Sequence, residues 1–365
     1  MNKKMVKGGL LACCCCITVL CNASRDSAQV TLEKKITKLY NKLNGEALAI
    51  SNEYGEIYIH AWDKKQILVK ITLTAQSATK SGAEKLLNLV TLSAARSDTA
   101  IQLSTKTGKP NTVYFQIGAL QDTALNKREK KENEAHFQIS SLNERCAINY
   151  TVFVPPHTPL KLTNKFGNIN LGDVTGELHI DESFGQVTCN RVFGPSVLNL
   201  SVANLSVASL ANAAIKATGF GTIKIDTIAG NVECGLSAGD KLEAGFVNGA
   251  YKFLLKSDNI KFVTFHLPQN FDASITAHGV FSTFSNQSSF VLTPLHLKLQ
   301  GPADTAASGH PDTVPVQPGT SQGKAIDKKL LELVLQKKTQ EFKGTAGEGK
   351  TTLNIAVAFS KVTFD

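Results

Sequence analysis

Glycine recurs every nine residues in the segment NKFGNINLGDVTGELHIDESFGQVTCNRVFG, which runs from Asn164 to Gly194. The same spacing continues to position 248, and the ten positions hold Gly167, Gly176, Gly185, Gly194, Ala203, Asn212, Gly221, Gly230, Gly239 and Asn248. Glycine and asparagine reach positive φ at the lowest energetic cost. The spacing therefore predicts a turn every nine residues.

Apolar residues alternate with polar ones between these turns. Ile169 and Leu171 lie two and four residues after Gly167, and the repeats that begin at 176, 185, 203, 221 and 230 keep these offsets. At 194, 212, 239 and 248 the apolar pair is shifted or broken. Alternation with period two over about five residues indicates a half-buried strand. Phe166, Phe184 and Phe220 precede their glycines at intervals of 18 and 36 residues, so one full coil should contain about 18 residues, two strands and two turns.

Short strands at a fixed period with no helices between them are typical of solenoids. We predict a mostly β, single-domain parallel β-solenoid with an N-terminal strand and helix region and a C-terminal antiparallel cap. An antiparallel sandwich of hairpins is the competing architecture. The predicted regions are a signal peptide (1–23), a β-rich capping region with one short helix (24–150), the repeats (151–300), a flexible Gly/Pro-rich insertion (301–324), and a helix plus terminal β-hairpin cap (325–365).

Several features lie outside the repeat or test it. Residues Asn52–Ile59 parallel Asn164–Leu171 outside the register, helical spacing appears at 83–90 and 325–340, and alternation returns at 353–359.

Cys189 and Cys234 share one offset from their turns. They should face inward from opposite sheets, about 12 Å apart along the axis, which is too far for a disulfide. We expect both to be buried thiols.

The N-terminus predicts export. Lys3, Lys4 and Lys7 precede an apolar run over 10–20 and a small-residue site at 21–23, which together are typical of a cleaved signal peptide. A lipid anchor at Cys13 or Cys21 is the alternative and would be the only contact with a membrane. Residues 1–23 carry three lysines and no acids, so cleavage changes the net charge from +9 to 9 − 3 = +6. This mild, mixed charge does not indicate a nucleic-acid partner.

Three motif matches lack their structural context. Gly344–Thr351 matches a P-loop, but a helix-like segment precedes it and a strand follows. The match to a nucleophile elbow around Ser237 ends on a repeat turn with no helix downstream. Asp181 and Asp226 are the only aspartates among eight equivalent turn positions, too few for a calcium ligand ladder. We therefore predict no catalytic, cofactor-binding or metal-binding residues and no cofactor.

A polysaccharide-active enzyme is the alternative from a different functional class. Such enzymes need paired carboxylates on one face, and the candidates here are Asp173, Asp181 and Glu182. Solvated turn acids are the simpler interpretation.

Two segments resemble a known family. Ile148–Gly185, with its Val-Pro-Pro entry and Phe-Gly turns, and Ile50–Ile67, with a Tyr-Gly turn and the single tryptophan, are similar to the adhesin-like domain of unknown function in exported Bacteroidota proteins. The resemblance implies a β-solenoid envelope protein, in a family often encoded beside sigma and anti-sigma factor genes, and it supplies no catalytic residues.

The function expected from these features is a non-enzymatic exported protein that acts as a binding or scaffold surface. It would lie in the periplasm or at the outer membrane or cell surface, and its partner would be an envelope protein or a polysaccharide. A periplasmic partner of an envelope-stress signalling system is the alternative within this class.

Overall fold

The computed structural model describes residues 15–20, 29–108, 144–294 and 339–365. The described part is mostly β and contains one α-helix. The predicted insertion at 301–324 lies outside the described residues. So does the predicted helix at 325–340, except for its last two residues, which begin a strand.

The following strands and one helix precede the repeats in the described residues. They are β1 (Cys15–Leu20), β2 (Val30–Asn41), β3 (Ala47–Tyr54), β4 (Ile57–Ala61), β5 (Gln66–Ser77), α1 (Lys80–Leu89), β6 (Val90–Arg96), β7 (Ala100–Thr107) and β8 (Arg145–Val154).

The repeat region contains both short strands and long ones. They are β9 (Leu160–Leu171), β10 (Leu178–Ser183), β11 (Gly185–Val192), β12 (Ser196–Ser201), β13 (Asn204–Leu210), β14 (Ala213–Thr218), β15 (Thr222–Ile228), β16 (Val232–Phe246) and β17 (Lys252–His266).

The remaining strands follow the repeats. They are β18 (Ala273–Val280), β19 (Thr283–Asn286), β20 (Thr293–Pro294), β21 (Thr339–Ala346), β22 (Thr351–Ala358) and β23 (Lys361–Phe364).

Strands 18 residues apart pair in parallel, as the sequence period predicts. Leu178 pairs with Ser196 and Gln186 pairs with Asn204. Each nine-residue step therefore takes the chain from one wall of the sheet to the other. The first wall contains β3, β10, β12, β14, β22 and β18, and the second wall contains β4, β11, β13, β15, β23 and β19.

The predicted open solenoid is wrong, because the strands close into a parallel barrel. Long strands β9, β16 and β17 each begin in the first wall and continue into the second. Both walls thus belong to one hydrogen-bonded sheet. A sequence period reports the spacing of turns but not whether a strand stops at the turn or passes through it.

The predicted antiparallel terminal cap is also wrong. Strand β22 pairs in parallel with β17 on one side and with β18 on the other. Strand β23 lies between β17 and β19 in the same way. These strands therefore fill the interior of the sheet, and it is β21 that pairs antiparallel with β18.

The core lies between the two walls, where the inward-facing Ile, Leu and Val residues of both walls pack together. Cys189 lies on the second wall and Cys234 on the first, and both are free and buried. The prediction of inward-facing thiols on opposite walls is confirmed. The N-terminal motif copy also lies where its sequence suggests, since Tyr54 pairs with Phe166 and Ile57 with Ile169.

The repeat glycines are needed mainly for close backbone approach rather than for positive φ. At Gly185 an added Cβ would lie 1.6 Å from the carbonyl oxygen of Gly167. The left-handed residue at this turn is instead Phe184, with φ of 58°. The predicted reason for the glycine spacing is thus wrong at Gly185, although the spacing itself marks the turns.

Candidate binding surface

One row of residues runs along the edge where the long strands pass from the first wall to the second. We call this row the aromatic ridge, and its position follows from the in-register pairs that flank each member. In spatial order it contains Tyr54, Phe166, Phe184, Val202, Gly219, Ala238, Asn259, Phe359 and Phe281. Aromatic rings stand at both ends, and small or polar residues lie between them.

Seven successive ridge residues have left-handed backbones, with φ between 50° and 67°. Glycine and asparagine tolerate this conformation, whereas bulky and β-branched side chains are outliers there. Phe184, Val202, Phe281 and Phe359 are nevertheless such residues. Each costs on the order of 1–3 kcal/mol of backbone strain.

These strained side chains are also exposed to solvent. Phe359 is 57% exposed, and Phe184, Val202 and Phe281 are each 37% exposed. Burial therefore stabilises these side chains only in part, and least at Phe359. Strained and exposed apolar residues need an explanation other than folding, and strain of this kind clusters at functional sites.

The rings form two stacks. Phe281 and Phe359 are parallel to within 1°, with centroids 5.2 Å apart. At the other end, Phe166 stacks on Tyr54 and on Phe184, with centroids 5.1 Å apart in both pairs. Such pairs contribute roughly 0.5–1.5 kcal/mol beyond their burial, which offsets only part of the strain.

A hollow of about 500 Å³ lies beside the Phe281–Phe359 stack on the outer face of the first wall. Two cross-strand rows form it. The row farther from the ridge is Gly235, Lys256, Ala356 and His278. The row next to the ridge is Ser237, Asp258, Ala358 and Val280.

Small residues create this hollow. Gly235, Ala356 and Ala358 present almost no side chain, and a Cβ added to Gly235 would meet no atom within 4 Å. Ser237, Lys256, Asp258 and His278 supply polar groups around this floor, and Ser237 Oγ donates to Thr218 Oγ1 at 3.0 Å. The hollow thus combines a floor of small residues with hydrogen-bond donors and acceptors, and Phe281 and Phe359 directly follow two of its lining residues, Val280 and Ala358.

A second polar row lies inside the barrel behind the other end of the ridge. Asn52 Nδ2 donates to the Ile148 carbonyl at 3.1 Å, and Asn164 Nδ2 donates to the Gly55 carbonyl at 3.2 Å. The next position holds Glu182, which pairs in register with Asn164 and is 1% exposed. Neither of its carboxyl oxygens has a hydrogen-bond partner among the described residues. Burial raises the pKa of Glu182 to about 9, so the side chain is neutral at pH 7.

The structure does not bring the three candidate carboxylates onto one face. Asp181 points outward and contacts His179 Nε2 at 3.1 Å and Asn199 Nδ2 at 2.8 Å, whereas Glu182 points into the core. Asp173 lies in the loop after β9 beside Arg191, whose hydrogen bonding holds the pKa of Asp173 below its usual range. Adjacent strand residues face opposite sides, so Asp181 and Glu182 cannot act on one substrate together.

The nucleophile-elbow and P-loop matches lie on strands and turns of the sheet. Ser237 lies within β16, which continues through the turn as a strand. Gly344–Thr351 spans the end of β21, the following loop and the start of β22. In that loop the amides of Gly349 and Lys350 donate to the carboxylate of Asp272, so they serve an internal acid.

The described residues hold neither a metal-binding cluster nor a membrane-crossing helix. They contain no group of three or more His, Cys, Asp or Glu side chains arranged to hold a metal ion. Within the same ranges, no helix has the length and apolar character needed to cross a membrane.

Sequence reasoning missed Phe281 and Phe359, although a signal was present. Both phenylalanines follow a small or branched apolar residue and precede serine, in Val280-Phe281-Ser282 and Ala358-Phe359-Ser360. The two serines are close in space, where the Ser360 amide donates to Ser282 Oγ at 3.1 Å. The two copies lie 78 residues apart, outside the nine-residue register, and only the pairing of β18 with β22 brings them together.

Comparison with known proteins adds little. No protein-family model and no curated protein matches the chain. One solved structure, described as a "putative cell adhesion protein" from Clostridium sporogenes, is 9% identical, and the match covers 91% of this chain and 98% of that one with a TM-score of 0.20. Likeness at that TM-score is too low to inform the fold or the function of this chain.

Proposed function

We propose that this chain is a non-enzymatic, exported protein of the cell envelope and that the aromatic ridge is its binding surface. The observation that carries the proposal is the row of exposed, left-handed phenylalanine and valine residues. Folding alone would favour glycine or asparagine at these positions, because both relieve the strain. A surface that retains such residues is best explained by contact with a partner.

The shape of the barrel suits this role. Because neighbouring strands lie about 4.8 Å apart, the nine ridge positions form a straight, rigid row. Side chains held on such a frame lose little conformational freedom when a partner binds. Export is supported by the signal-like segment at 1–23.

Protease treatment of intact cells tests the location, with an antibody to the chain and a periplasmic protein as control. We expect cleavage in the Gly/Pro-rich 301–324 segment while the control survives. Protection until the outer membrane is breached would overturn surface exposure and would favour a periplasmic partner.

A sedimentation assay tests the ridge itself. The processed chain recovered from cells is mixed with isolated envelope material, and the bound fraction is measured. We expect Phe281→Asn and Phe359→Asn to lower binding at least tenfold. Phe193→Asn is the matched control, because Phe193 is 45% exposed but directly precedes Gly194, at the opposite edge of the barrel from the ridge. Equal binding by all variants would refute the ridge as the contact surface.

A further inference from the structure

We infer that the hollow beside Phe281 and Phe359 is a saccharide subsite, which takes units of an uncharged polysaccharide. This inference rests on the proposed binding function and names the chemical class of its ligand. The site consists of the two stacked rings, the floor of Gly235, Ala356 and Ala358, and the polar groups around that floor.

The stacked rings match one face of a sugar. A pyranose ring presents C–H groups on its flat faces and hydroxyl groups around its edge. The C–H groups carry partial positive charge, and the face of an aromatic ring is negative. Phe281 and Phe359 are parallel and partly exposed to solvent, and they directly follow Val280 and Ala358, which line the hollow. They therefore offer apolar ring surface to a sugar unit bound at this end of the ridge.

The polar groups match the edge of a sugar. Hydroxyl groups both donate and accept hydrogen bonds, and they bind best where both partners are offered. Asp258 accepts, Lys256 donates, and Ser237 and His278 can do either. Asn259, the ridge residue next to Phe359, adds an amide that donates and accepts.

The charge of the hollow favours an uncharged ligand. Lys256 and Asp258 lie two residues apart on the same face of β17, so a cation and an anion border the same floor. A polyanion would meet Asp258, and a polycation would meet Lys256. A neutral polymer suffers neither repulsion.

The dimensions favour a polymer rather than a single small molecule. A volume of about 500 Å³ lies within the usual range of about 300–1,000 Å³ for ligand sites, but the hollow is open along the wall. The ridge continues from Phe359 through Asn259 and Ala238 to Gly219, whose small side chains leave the path clear. A chain bound at the rings could therefore extend along the ridge.

Affinity electrophoresis of the processed chain tests the inference. The gels contain a soluble neutral β-glucan, a neutral α-glucan, a neutral mannan or an anionic polyuronate, and retardation gives the dissociation constant. We expect retardation by at least one neutral polymer, weakened at least tenfold by Phe359→Asn and by Gly235→Leu. The second variant fills the hollow where a Cβ meets no atom within 4 Å, so it should fold normally. Phe193→Asn, at the opposite edge, should bind as wild type.

The outcomes separate this inference from the proposed function. Absence of retardation by every neutral polymer would overturn the saccharide subsite, as would unchanged binding by both Phe359→Asn and Gly235→Leu. Retardation by the polyuronate alone, lost with added salt, would overturn the uncharged class. If the ridge variants still lose envelope binding in these cases, the proposed function stands and only the ligand class fails.

Discussion

Both edges at which the chain passes between the walls contain glycines in close backbone contact, but the edges differ in their other turn residues. At one edge, which we call the glycine edge, Gly176, Gly194, Asn212 and Gly230 occupy the turns, and neighbouring backbones approach closely. At the other, the aromatic ridge places phenylalanine and valine in left-handed conformations and leaves them in solvent.

This difference separates residues selected by packing from residues selected by something else. At Gly194 an added Cβ would lie 2.1 Å from the Gly176 carbonyl oxygen, so only glycine fits. At Val202 glycine or asparagine would fit better than the residue present. Gly194 thus shows the demands of the fold at one edge, and Val202 shows a departure from them at the other.

The largest effect at pH 5 should come from filling the glycine edge. Gly194→Val forces backbone atoms of neighbouring turns apart, and we expect the free energy of unfolding to fall by about 3 kcal/mol. Urea denaturation measures it. Gly172→Ala is the control, because its Cβ would meet no atom within 4 Å. Equal losses in the two variants would show that the close approach at Gly194 is not limiting.

The next effect concerns the buried carboxyl behind the aromatic ridge. The folded pKa of Glu182 is about 9, and its unfolded pKa is about 4.3. Between these values the folded state binds more protons than the unfolded state. The contribution of protonated Glu182 to the free energy of unfolding is therefore complete below about pH 4. It is lost as pH rises through about 9, at up to roughly 1.4 kcal/mol per pH unit.

Glu182→Gln removes this titration while keeping the size of the side chain. We expect the variant to gain stability over wild type as pH rises from 5 to 9, measured by urea denaturation at each pH. Asp181→Asn, on the outward face of the same strand, is the control. Parallel pH profiles for wild type and Glu182→Gln would contradict a neutral buried carboxyl.

An exchange of residues between the edges should have a smaller effect. Val202 and Asn212 have nearly the same φ, 52° and 53°. Val202→Asn relieves strain and should raise the free energy of unfolding by about 1 kcal/mol, and Asn212→Val should lower it by a similar amount. Thermal denaturation of both variants checks this. If both substitutions changed the free energy of unfolding in the same direction, the difference drawn between the two edges would be wrong.

The smallest effect should be that of Phe359→Asn on stability. Relief of strain and loss of ring stacking oppose each other, so we expect a change within about 0.5 kcal/mol by urea denaturation. A loss above about 2 kcal/mol would assign Phe359 a structural role and weaken the argument for a binding surface.

The local structure could be predicted well from the sequence, but the closure of the sheet could not. The turns, the 18-residue pairing, the helix near 83–90 and the inward-facing cysteines all follow from periodicity, which reports side-chain direction. The passage of β9, β16 and β17 through their turns depends on backbone hydrogen bonds. Every residue type except proline can donate and accept such bonds, so they leave little pattern in the sequence.

The candidate site was harder still to predict. Its rings come from positions 281 and 359, and the floor combines residues near 235 with residues near 357. These residues lie next to each other only because β22 pairs between β17 and β18. Hydrophobic alternation marks β22 as a strand but does not identify its partners, since any wall strand offers the same apolar face.

The insertion of β22 and β23 also constrains the order of folding during synthesis. Ala273 pairs with Thr351, so a ribosome adds 351 − 273 = 78 residues after Ala273 before its partner exists. Until then, β17 has an open parallel edge that another chain could occupy. A nascent chain that folded early would risk exchanging strands with its neighbours, and a holding chaperone that delays folding until Phe364 is made would prevent this.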